Sequence, residues 1–345
     1  VNTISNFIKY LNMLLNKSKF LFKTLFILGS VSFLFVSCTE EDDEDLIGNW
    51  INRSVFDGTP RSSAAYFSIG NKGYVGVGYD GEDYRSDFWE YNMEGDYWTQ
   101  KADFPGVARS SAVGMAVNEL GYIGSGYDGL NNLGDFYQYN PSSNTWTQIA
   151  DFPENPRRGA VAFGVNGFGY FGTGFDGDNY RKDFWKYNPT TDTWSEQTGF
   201  GGNKRKDAST FTIGSNVYIG GGVSNGTLLT DFWVLNTDTG TFTKLLNLNV
   251  EDDYNVIRSN AVGFSLNGKG YFACGYASGS VSTVWEYNPS DDTWEEKTAF
   301  EGTTRQDPIV MTNGTQAFVG MGRSGTLYLD DFDEFFPNAE YDDED

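Results

Sequence analysis

Runs of alternating apolar and polar positions recur along the chain at a nearly constant spacing, and each run begins just after an arginine. Arg61, Arg109, Arg157 and Arg205 stand 48 residues apart; Arg258 follows after 53 and Arg305 after 47. Segments such as "SSAAYFSIG" behind Arg61 alternate with a period of two and predict a strand with one buried face. A Gly/Asn turn follows ("GNKG", "NELG", "LNGKG"), then a second strand led by Tyr74, Tyr122, Tyr170, Tyr218, Tyr271 or Phe318. A loop leads to a third strand, "DFWEY", "DFYQY", "DFWKY", "DFWVL", "TVWEY" or "DFDEF". An Asn-led turn then opens a fourth at Trp98, Trp146, Trp194, Phe242 or Trp294. No segment of this region has helical periodicity.

Four short antiparallel strands per period of about 40–50 residues predict an all-β fold, a six-bladed β-propeller. The spacing also predicts how the ring closes. Trp98 precedes Arg109 by 11 residues, as Trp146 precedes Arg157 and Trp294 precedes Arg305. Trp50 precedes Arg61 by the same 11, so it reads as a fourth-strand Trp with no blade in front of it. The sixth copy stops after its third strand, "DFDEFFP". The N-terminal strand around Leu46–Asn52 is therefore expected to complete the last blade, leaving no open sheet edge.

The order of Arg, Gly-aromatic strand, Asp-Phe-Trp-x-Tyr and Trp resembles the kelch repeat of galactose-oxidase-like propellers, over residues 46–337. One departure is visible. The Gly-Gly doublet of that family survives only as Gly221-Gly222, and becomes Val77-Gly78, Ser125-Gly126, Thr173-Gly174, Cys274-Gly275 and Met321-Gly322 elsewhere. The resemblance implies either a rigid binding module or, as in kelch propellers that epimerise sialic acids, chemistry with Arg and Glu around the channel.

Composition narrows these possibilities. The chain has 345 residues and no histidine, which removes His-based triads, imidazole zinc sites and the copper chemistry of the oxidase relatives. No cofactor and no metal are expected. Asp80 with Asp83, and Asp176 with Asp178, have the oxygen chemistry of a calcium loop but not its full ligand spacing, and Asp-Gly is ordinary turn chemistry. The net charge is −23, and −27 without the four lysines of residues 1–37 (24 − 4 = 20 basic against 47 acidic residues). Such a surface repels phosphate backbones, so nucleic acid is excluded as a partner. Two cysteines are too few for a disulfide framework. Cys274 stands where sister repeats carry Val77, Ser125, Thr173 and Met321, so it reads as core.

The N-terminal region reads as an address. Lys17, Lys19 and Lys23 precede an apolar run from Thr24 to Ser37, too short to span a bilayer comfortably but suited to a secretory signal. The end of that run, "LFVSC", is similar to the lipobox of bacterial lipoproteins, which implies lipidation at Cys38 as the sole membrane attachment. The expected organisation is signal peptide 1–37, lipidated Cys38 with an acidic tether to residue 45, propeller 46–337 and acidic tail 338–345. Six acids from Glu40 to Asp45 resemble a surface-export signal, so a monomer on the outer face of a bacterial outer membrane is expected.

In a four-stranded meander, the loop between strands two and three and the connection to the next blade emerge on one side. That rim is expected to carry Arg61, Arg109, Arg157, Arg205, Arg258 and Arg305, together with Asp80, Asp128, Asp176, Tyr84 and Tyr180. The arginines could bind an acidic ligand through bidentate hydrogen bonds. They could equally pair with Asp87, Asp135, Asp183, Asp231 and Asp331, the fifth repeat having Val284 in line with that Asp. The fourth-to-fifth connection is five residues longer than the others and places Tyr254 as a specificity candidate. The expected ligand is a protein segment or a glycan bound across the rim.

Overall fold

In a computed structural model of the protein, residues 46–250 and 253–342 are described. The signal segment, Cys38 and the acidic tether lie outside them. The repeats fold as six four-stranded antiparallel blades. Blade 1 comprises Ala65–Ile69, Lys72–Gly76, Phe88–Asn92 and Tyr97–Gln100, and blades 2 to 5 repeat that order from Val113, Val161, Ser209 and Val262. Blade 6 takes Ile309–Thr312, Ala317–Gly320 and Phe332–Phe336 from the C-terminal end and Asn49–Asn52 from the N-terminal end.

The first strand of each blade lines a central cavity of about 420 Å³, walled mostly by small residues. Tyr66 is the bulky exception where sister blades carry Gly114, Ala162, Thr210, Gly263 and Val310. Second strands are buried almost throughout, which is why their sequences are apolar-aromatic and not alternating.

The N-terminal strand closes the last blade as predicted, with Trp50 opposite Phe335 and Asn52 opposite Asp333. Trp50 is 1% exposed; its ring stacks on Phe335 with centroids 4.5 Å apart and meets Phe300 edge-on at 4.8 Å. Its indole donates to the Thr298 carbonyl of blade 5 (3.4 Å). Trp98, Trp146 and Trp194 make the same bond to Ser54, Ala102 and Ala150 (3.0, 2.9 and 3.0 Å). Trp50 is thus a blade tryptophan displaced to the front of the chain. Beyond the last strand, the Ala339 carbonyl accepts from the Gly48 N–H (3.0 Å) and Asp342 N–H donates to Asn49 Oδ1 (3.0 Å), tying the C-terminal segment to the closing strand.

A second repeated lock grips the same connections from their N–H groups. Tyr91, Tyr139, Tyr187 and Tyr287 donate their hydroxyls to Asp96, Asn144, Asp192 and Asp292 (2.8, 2.8, 2.8 and 3.0 Å). The same side-chain oxygens of Asp96, Asn144 and Asp192 accept a backbone N–H from the preceding inter-blade connection, at Ser54, Ala102 and Ala150. The two partners disappear together. Blade 4 has Leu235 with Gly240, and blade 6 has Phe335 with Gly48. A buried hydroxyl without an acceptor would cost about 1–3 kcal/mol, so Tyr is kept only where its acceptor is kept.

One buried acid works against stability. Burial pushes Asp333 up to about 6, helped by the charge of Asp331, while Arg305 opposes the shift. A raised carboxyl contributes most below its unfolded pKa near 4 and loses that contribution as pH rises towards 6. Asp333→Asn is therefore expected to stabilise the protein by about 1–3 kcal/mol at pH 7 and far less at pH 4. Denaturant melts at the two pH values check this; equal gains at both would contradict it.

Candidate functional site

The six arginines are inside the blades and not on the rim surface: each is at most 3% exposed. Arg61 forks onto Asp87 (2.5 and 2.7 Å), Arg109 onto Asp135 (2.6 and 2.8 Å) and Arg157 onto Asp183 (2.8 and 3.0 Å). Arg305 forks onto Asp331 in the same way, whereas Arg205 reaches Asp231 through a single Nη–Oδ2 bond. Each Nε donates to the carbonyl two residues earlier, and one Nη donates to a carbonyl 16 residues on, such as Val77 O or Ser125 O. Phe56, Phe104, Phe152, Phe200 and Phe300 cover the guanidinium faces at 4.3–5.5 Å. Burial pushes Asp87 and Asp183 upward, but the hydrogen bonds and charge of Arg61 and Arg157 outweigh it and hold both below the usual carboxylate range. The expectation of ligand-facing guanidiniums is corrected here: these arginines are spent on their own blades.

The carbonyl that each Nη holds belongs to the residue replacing the first glycine of the kelch doublet. Val77, Ser125, Thr173, Gly221, Cys274 and Met321 all have φ between 56° and 66°, a conformation unfavourable for β-branched side chains. The arginine pins that backbone. The following glycine then donates to the next blade, from Gly78 N to Arg109 O (2.7 Å) and around to Gly322 N and Arg61 O (3.0 Å). Six such bonds close the ring. Cys274 belongs to this hinge; it is fully buried, and burial pushes its thiol up to about 12.

The fifth repeat differs in two ways. Thr283, not Val284, stands at the Asp position: Val284 pairs with Ala273 as Phe88 pairs with Gly76. Arg258 meets Thr283 Oγ1 (3.0 Å) and carbonyl oxygens of Val256, Cys274 and Thr283. Leu248 takes the place of the covering Phe, and burial pushes Arg258 down to about 10. The extra residues form a small hairpin, Asn249–Val250 against Tyr254–Asn255. Tyr254 is 5% exposed, packs in the core with Leu248 and Val256, and donates to Asn247 O (3.1 Å). It is corrected from specificity residue to core, because the insertion folds inward to cover what the missing Phe leaves open.

Asp80, Asp128 and Asp176 also serve their own loops. Each Oδ1 accepts backbone N–H groups two and three residues on, at 2.6–2.9 Å. Asp80 pairs with Arg85 (2.6 Å) and Asp176 with Arg181. Burial raises Asp176, but the backbone bonds from Asn179 and Asp178 and its pairs with Asn155 and Arg181 bring it to about 2. These are turn carboxylates, with little left for a ligand. The neighbouring blade leaves no room for a side chain at Gly81 and Gly129. A Cβ on Gly81 would lie 2.7 Å from the Tyr328 ring, and one on Gly129 would lie 2.8 Å from Tyr84.

Tyr84 and Tyr180 do lie on the rim, where they build a continuous arc. Tyr328 meets Tyr79 (6.1 Å), Tyr79 meets Tyr84 (4.9 Å) and Tyr84 meets Tyr127 (6.3 Å). Arg158 then lies over both Tyr127 and Phe175 (4.4 and 5.3 Å), and Phe175 meets Tyr180 (5.0 Å). The arc runs from blade 6 to blade 3 and stops there. Inside it, the channel mouth is ringed by Ser63, Ser111, Gly159, Asp207, Asn260 and Asp307, all in the left-handed region. Inter-blade N–H···O bonds of 2.8–3.1 Å link them in series from Ser63 to Asp307. Asp307 accepts from Asn260 (2.6 Å) and lies 3.4 Å from Arg323; burial and the charge of Asp207 push it upward.

Tyr84 and Tyr180 were in the sequence-based set; the mouth residues, and Arg158, Lys206 and Gln306 beside them, were not. Their signal is positional: they are the first and second residues after each repeated arginine. The first is Ser62, Ser110, Arg158, Lys206, Ser259 or Gln306, and it varies where the arginine does not.

Comparison with known proteins agrees with this architecture. The Kelch motif family matches residues 126–153. The solved structure of YjhT superposes with a TM-score of 0.69 at 16% sequence identity, covering 81% of this chain and 96% of YjhT. No curated protein sequence matches significantly. The chain is a six-bladed β-propeller in which residues 126–153 match the Kelch motif.

Proposed function

We propose that this kelch propeller is a binding module, lipid-anchored at Cys38 outside the cytoplasm, which takes a protein segment or glycan on the rim. One observation carries the reading: the repeated arginines and loop aspartates are consumed within the ring, whereas Arg158, Lys206 and Gln306, which stand where three sister repeats carry a buried Ser, are only half-buried at the rim. A scaffold repeated with few departures around the ring, with unlike residues at its mouth, suits recognition. A glycan array and a pull-down with the purified protein test this; saturable capture is expected. Cys38→Ala is expected to release the protein from membranes, and continued retention would remove the anchor from the proposal.

A second reading is a histidine-independent epimerase or mutarotase acting on a sugar acid. It draws on Asp307, a largely buried carboxyl at the channel mouth with its pKa raised, beside Arg323. Saturable turnover of N-acetylneuraminate, lost in Asp307→Asn, would replace the module reading with this one.

A further inference from the structure

The rim has a second half that the aromatic arc does not reach. In blades 1 and 3 the aromatic at the start of the strand 2–3 loop is covered by a second ring five residues on, Tyr84 over Tyr79 and Tyr180 over Phe175. Tyr127 of blade 2 is covered by Tyr84 and Arg158. Blade 5 keeps the first aromatic, Tyr276, but its loop is one residue shorter and pairs Tyr276 with Ser280. No described ring or cation lies over Tyr276, and it is 41% exposed.

Its backbone is nevertheless fixed, exchanging hydrogen bonds with Ser259 (2.7 and 2.9 Å). Tyr276 borders an open cleft of about 640 Å³ between blades 4 and 5. Lys206, Asp207, Asn260 and Gln306 line that cleft, with Leu228 as an apolar wall. Lys206 is paired with Asp207 (2.8 Å), so the polar lining carries donors and acceptors with little net charge.

From this juxtaposition we infer that the blade 4–5 cleft is a saccharide site. A neutral pyranose stacks its C–H face on the uncovered Tyr276 ring and directs its hydroxyls to Asn260, Gln306 and the Lys206–Asp207 pair. The physical reason is complementarity of shape and field. A pyranose presents one flat face of weakly positive C–H groups, which matches the negative face of an aromatic ring, and an edge of hydroxyls that need both donors and acceptors. The arginine-capped aromatics of blades 2 and 3 offer no such open face.

This inference rests on the rim-binding reading and is tested apart from it. Saturation-transfer NMR on the full-length protein, with methyl glycosides of glucose, galactose, mannose and N-acetylglucosamine, is expected to show transfer to ring C–H protons of at least one. Tyr276→Ala is expected to weaken that binding about 10-fold, and Tyr276→Phe, which keeps the ring, to retain it. Tyr84→Ala on the arc is expected to leave it unchanged. No transfer from any of the four overturns the site. Transfer that persists in Tyr276→Ala but is lost in Tyr84→Ala also overturns it, while leaving a rim-binding module standing.

Discussion

Trp50→Ala is expected to lower stability by about 3–5 kcal/mol, the range for truncating a buried aromatic, although Trp50 lies almost 300 residues from the strand it completes. The substitution removes the stack on Phe335, the edge contact with Phe300 and the indole bond to Thr298. Those contacts tie blade 6 to both ends of the chain and to blade 5. Urea denaturation gives the magnitude, and hydrogen exchange gives the location. Amide protection at Phe332–Phe336 should fall first, because that strand becomes a sheet edge when Asn49–Asn52 detaches. Loss of protection spread evenly over all six blades would contradict a closure role.

Breaking one Arg–Asp pair should cost as much. Arg109→Met leaves Asp135 without its forked partner and the Ser125 carbonyl without its donor, at a residue held at φ 63°. Removing one member of a buried pair typically costs about 3–5 kcal/mol, because the remaining charge stays desolvated. The double substitution Arg109→Met with Asp135→Leu should recover much of that loss, a coupling read directly from a double-mutant cycle. Stability of Arg109→Met equal to wild type would show that the guanidinium is free for a ligand. Asp87, Asp183 and Asp231 are each held low by their arginines against burial, so these pairs contribute fully above pH 4. That contribution is lost as pH falls below the unfolded value.

The fold was legible because its determinants are local and repeated. A period-two strand pattern, a constant Arg spacing and an orphan Trp50 suffice to predict six blades and the strand that closes them. The site was less legible, for a physical reason. An arginine repeated with an aspartate 26 residues away looks the same in sequence whether the pair faces a ligand or the core; burial decides, and it comes from packing across the whole blade, since Arg258 is 3% exposed without a covering phenylalanine. The fifth repeat shows the same limit. Counting forward from Tyr276 places Val284 at the Asp position, but the loop is one residue shorter, and the strand register puts Thr283 there, at the head of "TVWEY". Tyr254 looked like a rim residue because an insertion usually lies on the surface, yet here it fills space that Leu248 is too small to occupy.

On the proposed reading, repeated polar residues build the ring and the residues that depart from the repeat at its mouth recognise the ligand. The most direct test of that reading replaces Arg158, Lys206 and Gln306 together by Ser, the residue that three sister blades carry at that position. Capture of ligands from a glycan array and by pull-down is then compared with wild type at matched thermal stability. The account predicts an unchanged melting temperature and lost capture. Capture equal to wild type by the triple variant would contradict it.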